Sequence, residues 1–134
     1  MNIEPYLLFN GKCDEAIAFY GSALGATCSA LMRFKDAPPG SGCNPAMADK
    51  VMHAELRIGS STIMASDAMG EGECKFAGFS LTLNVDSAGE AAAKFNALAA
   101  AGKVVQPLQK TFFAESFGMV HDRFGVQWIV IYRP

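Results

Sequence analysis

In 79-FSLTLNVDSAGEAAAKFNALAAAG-102 a strand turns into a helix within one run of residues. Leu81, Leu83 and Val85 alternate with Ser80, Thr82 and Asn84, the period-2 pattern of a half-buried strand. After Asp86 the pattern changes. Ser87 followed three residues later by Glu90 is a capping box, an alanine-rich run extends from it, and Gly102 marks its stop. The same order stands near the N-terminus. Residues 3–9, IEPYLLF, predict a short strand, and 13-CDEAIAFYGSALGA-26 spaces apolar residues at 13, 16, 17, 20 and 24 along one helix face. Asp14 and Glu15 fall in that helix's first turn and Gly25 at its end. An offset of 75 brings Glu15-Ala16 onto Glu90-Ala91, Ala18 onto Ala93, Tyr20 onto Phe95 and Leu8 onto Leu83.

Each helix is followed by three more strand patterns. In the first half they are TCSALMRF (27–34), VMHAELRIG (51–59) and STIMASD (61–67), with the Pro- and Gly-rich stretch 36–50 a loop able to act as a lid. In the second they are KVVQPLQKTF (103–112), SFGMVHD (116–122) and VQWIVIYRP (126–134), the last two joined by a DRFG turn. The expected fold is α+β, two βαβββ modules over about 1–69 and 77–134 in a single domain of residues 1–134. AMGEGECKFAG (68–78) is their linker.

A chain of 134 residues can bury a real core. A net charge of −2 with no Lys/Arg run gives no basic stripe, so no nucleic-acid partner is expected. The apolar stretches fall short of the roughly 18 residues of a membrane span. MNIEPYLLF, with Glu4 and Pro5, is no export signal, so a cytoplasmic location is expected and no membrane partner. Cys13, Cys28, Cys43 and Cys74 form no C-x-x-C pair and predict free thiols, Cys43 the most exposed of them.

PYLLFNGKCDEAIAFYGSALGA (5–26), MRFKDAPP (32–39), KVMHAELRIGSSTIMASD (50–67), GFSLTLNVDSAGEAAAKFNALAAAGKV (78–104) and QPLQKTFFAESFGMVHDRFGVQWIV (106–130), in this order, resemble the PhnB-like branch of the glyoxalase/bleomycin-resistance/dioxygenase (vicinal oxygen chelate) superfamily. The resemblance implies paired βαβββ modules whose strands form a curved mixed sheet around a small-molecule cavity, commonly in a homodimer. Some relatives carry a ubiquinone-methyltransferase label, but no Gly-rich strand-to-helix turn for a nucleotide-like cofactor is present here. No cofactor is expected.

Metal-using members of that superfamily place His or Glu on the first and last strand of each module. Those positions fall here on Pro5, Met64, Ser80 and Ile129. None offers the nitrogen or carboxylate donor a divalent ion requires. A one-residue slip to Glu4 would turn that side chain to the other face of the sheet.

Alternation instead puts His53, Glu55 and Arg57 on one strand face, Thr62, Met64 and Ser66 on another, Ser80, Thr82 and Asn84 on a third, and Gln127, Ile129 and Ile131 on a fourth. Facing inward, His53, Glu55, Arg57, Met64, Ser66, Ser80, Thr82, Asn84, Gln127 and Ile129 would line a cavity suited to a small polar ligand. Facing outward, the His53–Arg57 row would be solvated. His53 and Glu55, two residues apart, could also act as a general base or a partial metal site. His121 and Asp67 have the setting of simple turn residues. Phe112, Phe113, Phe117 and Trp128 suit core packing, or stacking on a planar ligand. The leading expectation is a metal-independent small-molecule binding protein. The alternative is a lyase, isomerase or dioxygenase-like enzyme holding a divalent ion through noncanonical ligands such as His53 and Glu55.

Overall fold

A computed structural model describes residues 1–42, 44–67 and 73–134, so Cys43 and residues 68–72 of the expected linker lie outside the described residues. The chain divides into two compact units, Met1–Cys74 and Lys75–Pro134. Each contains one βαβββ set, and the strands form two four-stranded mixed sheets, one in each unit.

The first unit runs β1 (Tyr6–Leu8), α1 (Cys13–Leu24), β2 (Thr27–Arg33), β3 (Val51–Ile58) and β4 (Ser61–Ser66), with short 3-10 turns at Phe34–Asp36 and Pro45–Met47. Its sheet order is β1-β4-β3-β2. The β1–β4 pair is parallel and the other two are antiparallel. A parallel pair needs a crossover. Here α1 carries the chain to the far edge, and β2, β3 and β4 return it by hairpins. The tight turn between β3 and β4 is possible because Gly59 takes φ +58°. β1 is shorter than the expected 3–9 because Pro5 has no N–H for the ladder; only its carbonyl pairs, accepting from Met64 N at 2.9 Å.

One face of this sheet packs on α1. Leu7, Phe9, Ala54, Leu56, Ile63 and Ala65 are buried there with Cys13, Ala16, Phe19, Tyr20 and Leu24 of the helix. Phe9 and Tyr20 join the two layers, their ring centroids 6.2 Å apart. The helix face is wider than its spacing predicts: Phe19 and Ala23 are buried, whereas Ile17 is half-buried. Asp67 is no simple turn former. It is fully buried, its Oδ1 accepts from Gly11 N and Cys13 N at 2.8 Å each, and its Oδ2 accepts from Val51 N at 2.8 Å. One carboxylate thus ties the start of α1, the start of β3 and the end of β4. The base of the 36–50 loop is held by Arg33, whose guanidinium donates to both oxygens of Asp14 at 2.9 Å and to Asp49 O at 2.8 Å.

The second unit repeats the plan with β5 (Leu81–Val85), α2 (Ala88–Ala99), β6 (Lys103–Gln109), β7 (Ser116–His121) and β8 (Gln127–Tyr132), ordered β5-β8-β7-β6 with β5 parallel to β8. Ser87 Oγ accepts from Glu90 N at 3.0 Å, while the Glu90 carboxylate accepts from Asp86 N at 2.8 Å, one residue before the expected partner. The left-handed residue after α2 is Ala101, φ 60°, and not Gly102. Gly102 is needed for space, since a Cβ there would sit 2.2 Å from His121 O. Phe95, Leu98, Val120, Val126, Trp128 and Val130 form the core. Trp128 Nε1 donates at 2.9 Å to Asp122, whose other carboxylate oxygen accepts from Phe124 N and Val126 N.

The offset of 75 holds residue for residue between α1 and α2. The strands before them are offset by 76. Leu7 and Leu83 face the helices, whereas Leu8 lies on the opposite face from Leu83. The extra residue of the first unit falls where Asn10 and Gly11 both take positive φ, 49° and 99°. Among the described residues no helix is long and apolar enough to cross a membrane.

Candidate functional site

The face of the first sheet turned away from α1 carries the chemistry. Alternation puts Leu7 against the helix and Tyr6 and Leu8 on this other face, both about half exposed. In the parallel register Tyr6, not Pro5, stands beside Met64, and Met64 stands beside Glu55 on β3. From β1 the Tyr6 phenol reaches across β4 to His53, with 2.9 Å between Oη and Nδ1. The other ring nitrogen, Nε2, is 3.0 Å from Glu55 Oε2. A continuous chain Tyr6–His53–Glu55 results.

Its proton arrangement follows from donor and acceptor capacity. An ionised carboxylate only accepts, so Nε2 carries the hydrogen. In a neutral imidazole Nδ1 is then an acceptor, and the Tyr6 O–H donates to it. Tyr6 is 46% exposed, and the His53 and Glu55 side chains are 32% and 41% exposed, so all three side chains are partly open to solvent. Half-buried Met64 supplies an apolar neighbour beneath the phenol. Arg57, two residues beyond Glu55, is exposed and is in none of the ion pairs among the described residues. Ser66 is on the same face but buried, its Oγ 3.4 Å from Val51 O.

The corresponding face of the second sheet carries Ser80, Thr82 and Asn84 beside Gln127 and Ile129 of β8. Gln127 donates to Ser80 Oγ, and its Oε1 is 2.8 Å from His121 Nε2. His121 is therefore a half-buried member of a side-chain chain at the end of β7, not a solvated turn residue. Thr82 and Asn84 are exposed, and Ile129 pairs with Thr82 and with Met119 of β7. Of the aromatic set only Trp128 is core. Phe112 and Phe113 are exposed and stack edge-on, Phe112 on Phe113 and Phe113 on Phe117, each with 5.1 Å between centroids.

Of the four positions the sequence assigned to a metal site, Pro5 does not share the outer face: it alternates with Leu7 toward α1, and the alternation that carries Tyr6 to the side of Met64 carries Glu4 with it, contrary to the facing expected for both. Met64, Ser80 and Ile129 offer a thioether, a hydroxyl and an alkyl chain, and among the described residues no group of three or more His, Cys, Asp or Glu side chains could hold an ion. Tyr6 was not legible as a site residue from the alternation of β3 and β4 alone. Pairing of β1 with β4 places it: Leu7 is buried toward α1, and Tyr6 and Leu8 take the other face.

Against known families, the model described as 3-demethylubiquinone-9 3-methyltransferase matches residues 1–131. Protein YjdN of Escherichia coli (strain K12) is 38% identical over 97% of this chain and 94% of its own. Protein PA1353 of Pseudomonas aeruginosa is 46% identical with a TM-score of 0.85, covering 99% of this chain and 98% of its own. The PhnB protein of Bacillus cereus is 26% identical with a TM-score of 0.81, covering 98% and 99%. A glyoxalase/bleomycin resistance/dioxygenase domain from Frankia, 15% identical with a TM-score of 0.67 over 99% and 95%, shares the fold. By the extent of the family match and the identity to these relatives, the chain belongs to the PhnB-like family that bears the 3-demethylubiquinone-9 3-methyltransferase description.

Proposed function

We propose that this protein binds a small organic molecule, without a resident metal ion, on the face of the first sheet that carries Tyr6, His53 and Glu55. The observation that carries this reading is the hydrogen-bonded chain itself: three polar side chains from two strands hold one another in place and end in a half-exposed tyrosine. Met64 and Leu8 add apolar side chains to the same face, and Arg57 adds an exposed charge further along β3. Such a mixture of apolar surface and a few fixed polar groups suits ligand recognition. His53, Glu55, Arg57 and Met64 are the contacts assigned in this sheet, with Ser66 supporting them from below. Ser80, Thr82, Asn84, Gln127 and Ile129 form a second, subsidiary surface.

A metal-dependent lyase, isomerase or dioxygenase would have to recruit His53 and Glu55, yet both ring nitrogens of His53 already have partners. A second copy of the chain is the other partner we assign. The edge strands β2 and β6 leave Leu31, Met32, Val104 and Val105 about half exposed, apolar surface that pairing of copies would cover.

Metal analysis and thermal melts test the reading together. Purified protein should hold no stoichiometric metal and show no specific shift with Ni²⁺, Zn²⁺ or Mn²⁺. A small-molecule library should yield ligands that raise Tm in wild type and lose the effect in His53→Ala. A ligand at about 100 times its Kd stabilises by about 2.7 kcal/mol, readily seen in a melt. One equivalent of co-purifying metal, released by His53→Ala, would sink the proposal.

A further inference from the structure

We infer that the Tyr6–His53–Glu55 chain is a proton relay whose acting atom is Tyr6 Oη, and that it exchanges the acidic C–H proton of a small 2-oxo acid. The inference deepens the ligand site proposed above and rests on it. Simple recognition would need only one exposed donor or acceptor. This arrangement has three groups in series, ordered carboxylate, imidazole and phenol, at 3.0 and 2.9 Å. The carboxylate fixes the tautomer, the tautomer fixes the direction of the phenol hydrogen, and the half-exposed Tyr6 is the outer end of the series. Serial ordering of a nucleophile or base by an imidazole and a carboxylate is the general logic of an activated group.

The step balances without any co-reactant. A C–H bond next to the ligand's carbonyl breaks, its electron pair stays on the ligand as an enolate, and the proton forms a bond to Tyr6 Oη. The phenol's own proton moves to His53 Nδ1, giving an imidazolium that faces the Glu55 carboxylate. The reverse steps return a proton to carbon, so the net result is isotope exchange or isomerisation.

The ligand class follows from what surrounds the phenol. Met64 and Leu8 provide apolar contact for a short alkyl chain. Arg57 lies four residues from His53 along β3, roughly 13 Å at about 3.3 Å per residue. Arg57 shares the face with His53 and Glu55, is exposed and is in none of the ion pairs among the described residues, the charge a ligand carboxylate would seek. Among the described residues, β2 and β4 bring no titratable side chain to this face beside the chain, and Glu4 alternates onto it two residues before Tyr6. β4 brings Thr62, Met64 and Ser66, and β2 brings Ala30 and Met32.

The test is C3–H exchange of pyruvate, 2-oxobutyrate and 2-oxoisovalerate in D₂O, followed by proton NMR, with melts of the same mixtures reading binding separately. Wild type should accelerate exchange saturably with at least one probe. Tyr6→Phe, which keeps the ring, should lose at least about 100-fold, the scale of general acid–base catalysis. A folding failure of Tyr6→Phe is covered by nitrogen NMR of His53 in the wild type, which should show hydrogen on Nε2 and none on Nδ1. Glu55→Gln should alter that signature and slow exchange, as a residue that acts only on the fold would not. Exchange no faster than buffer with all three probes overturns the relay, as does exchange unchanged by Tyr6→Phe, or a hydrogen found on Nδ1 of neutral His53. Ligands that shift the melt without exchange would leave the binding site standing and remove the relay alone.

Discussion

Asp67 shows how much one side chain can decide. With no exposed surface it accepts three backbone N–H groups from two separate segments. Removing the carboxylate leaves the buried Cys13 and Val51 donors and the half-buried Gly11 donor without partners, each buried one costing about 1–3 kcal/mol. Asp67→Ala should therefore destabilise the protein by at least about 2 kcal/mol in urea unfolding; a loss under about 1 kcal/mol would mean water replaces the carboxylate. Cys13 sits beside it. Burial, and then the Asp67 charge, push the Cys13 thiol up from 9.0 to about 12. Cys28, by contrast, is exposed. Brief iodoacetamide treatment of the native protein at pH 8 should alkylate Cys28 and spare Cys13, checked by peptide mass spectrometry. From sequence both were simply free thiols, because burial depends on which helix face meets the sheet.

The two helices occupy matching positions in their units, yet their N-termini are satisfied differently. α2 is capped from within its own sequence by Ser87. α1 follows Lys12, which makes no side-chain cap, and Cys13 N is satisfied by Asp67, 54 residues away. Ser87→Ala should cost about 1 kcal/mol in chemical denaturation, while Lys12→Ala should cost far less. The close approach of α2 to its sheet depends on Gly118. A Cβ there would lie 2.7 Å from Phe95 Cε2 and 3.0 Å from Leu108 Cα. Gly118→Ala should destabilise by about 1–3 kcal/mol through overpacking; a neutral result in urea unfolding would show that the ring and β6 can move aside. The capping box was visible beforehand because its partners are three residues apart. The Gly118 contact was not, since it joins three elements remote in sequence.

For the whole molecule, two groups shape the dependence of stability on pH. The hydrogen bonds from Arg33 hold the Asp14 carboxyl below its ordinary 3.8. A depressed folded-state value stabilises above the unfolded value and is lost as pH falls through the folded one. Tm should therefore drop between about pH 4 and pH 2 less steeply in Asp14→Asn than in wild type, and modestly, because the pair is partly solvated. Cys13 acts with the opposite sign. Its raised value stabilises below 9.0 and is lost progressively toward about 12, so Cys13→Ala should flatten the alkaline limb of a Tm–pH curve. If both variants keep the wild-type slopes, other groups dominate the titration.

Element order was open to inspection in the chain itself because strand and helix periodicities, caps and turn glycines act over a few residues. Two βαβββ sets and a capped α2 followed from it. Facing across β1 did not. One additional residue at Asn10-Gly11 changes the offset between the halves from 75 to 76 and turns Tyr6 to the side of Met64. A shift of one residue in a strand exchanges its two faces, and local periodicity in a three-residue strand is too short to fix that choice. Parallel pairing with β4 fixed it, and only then did a phenol, an imidazole and a carboxylate from positions 6, 53 and 55 come within hydrogen-bonding distance.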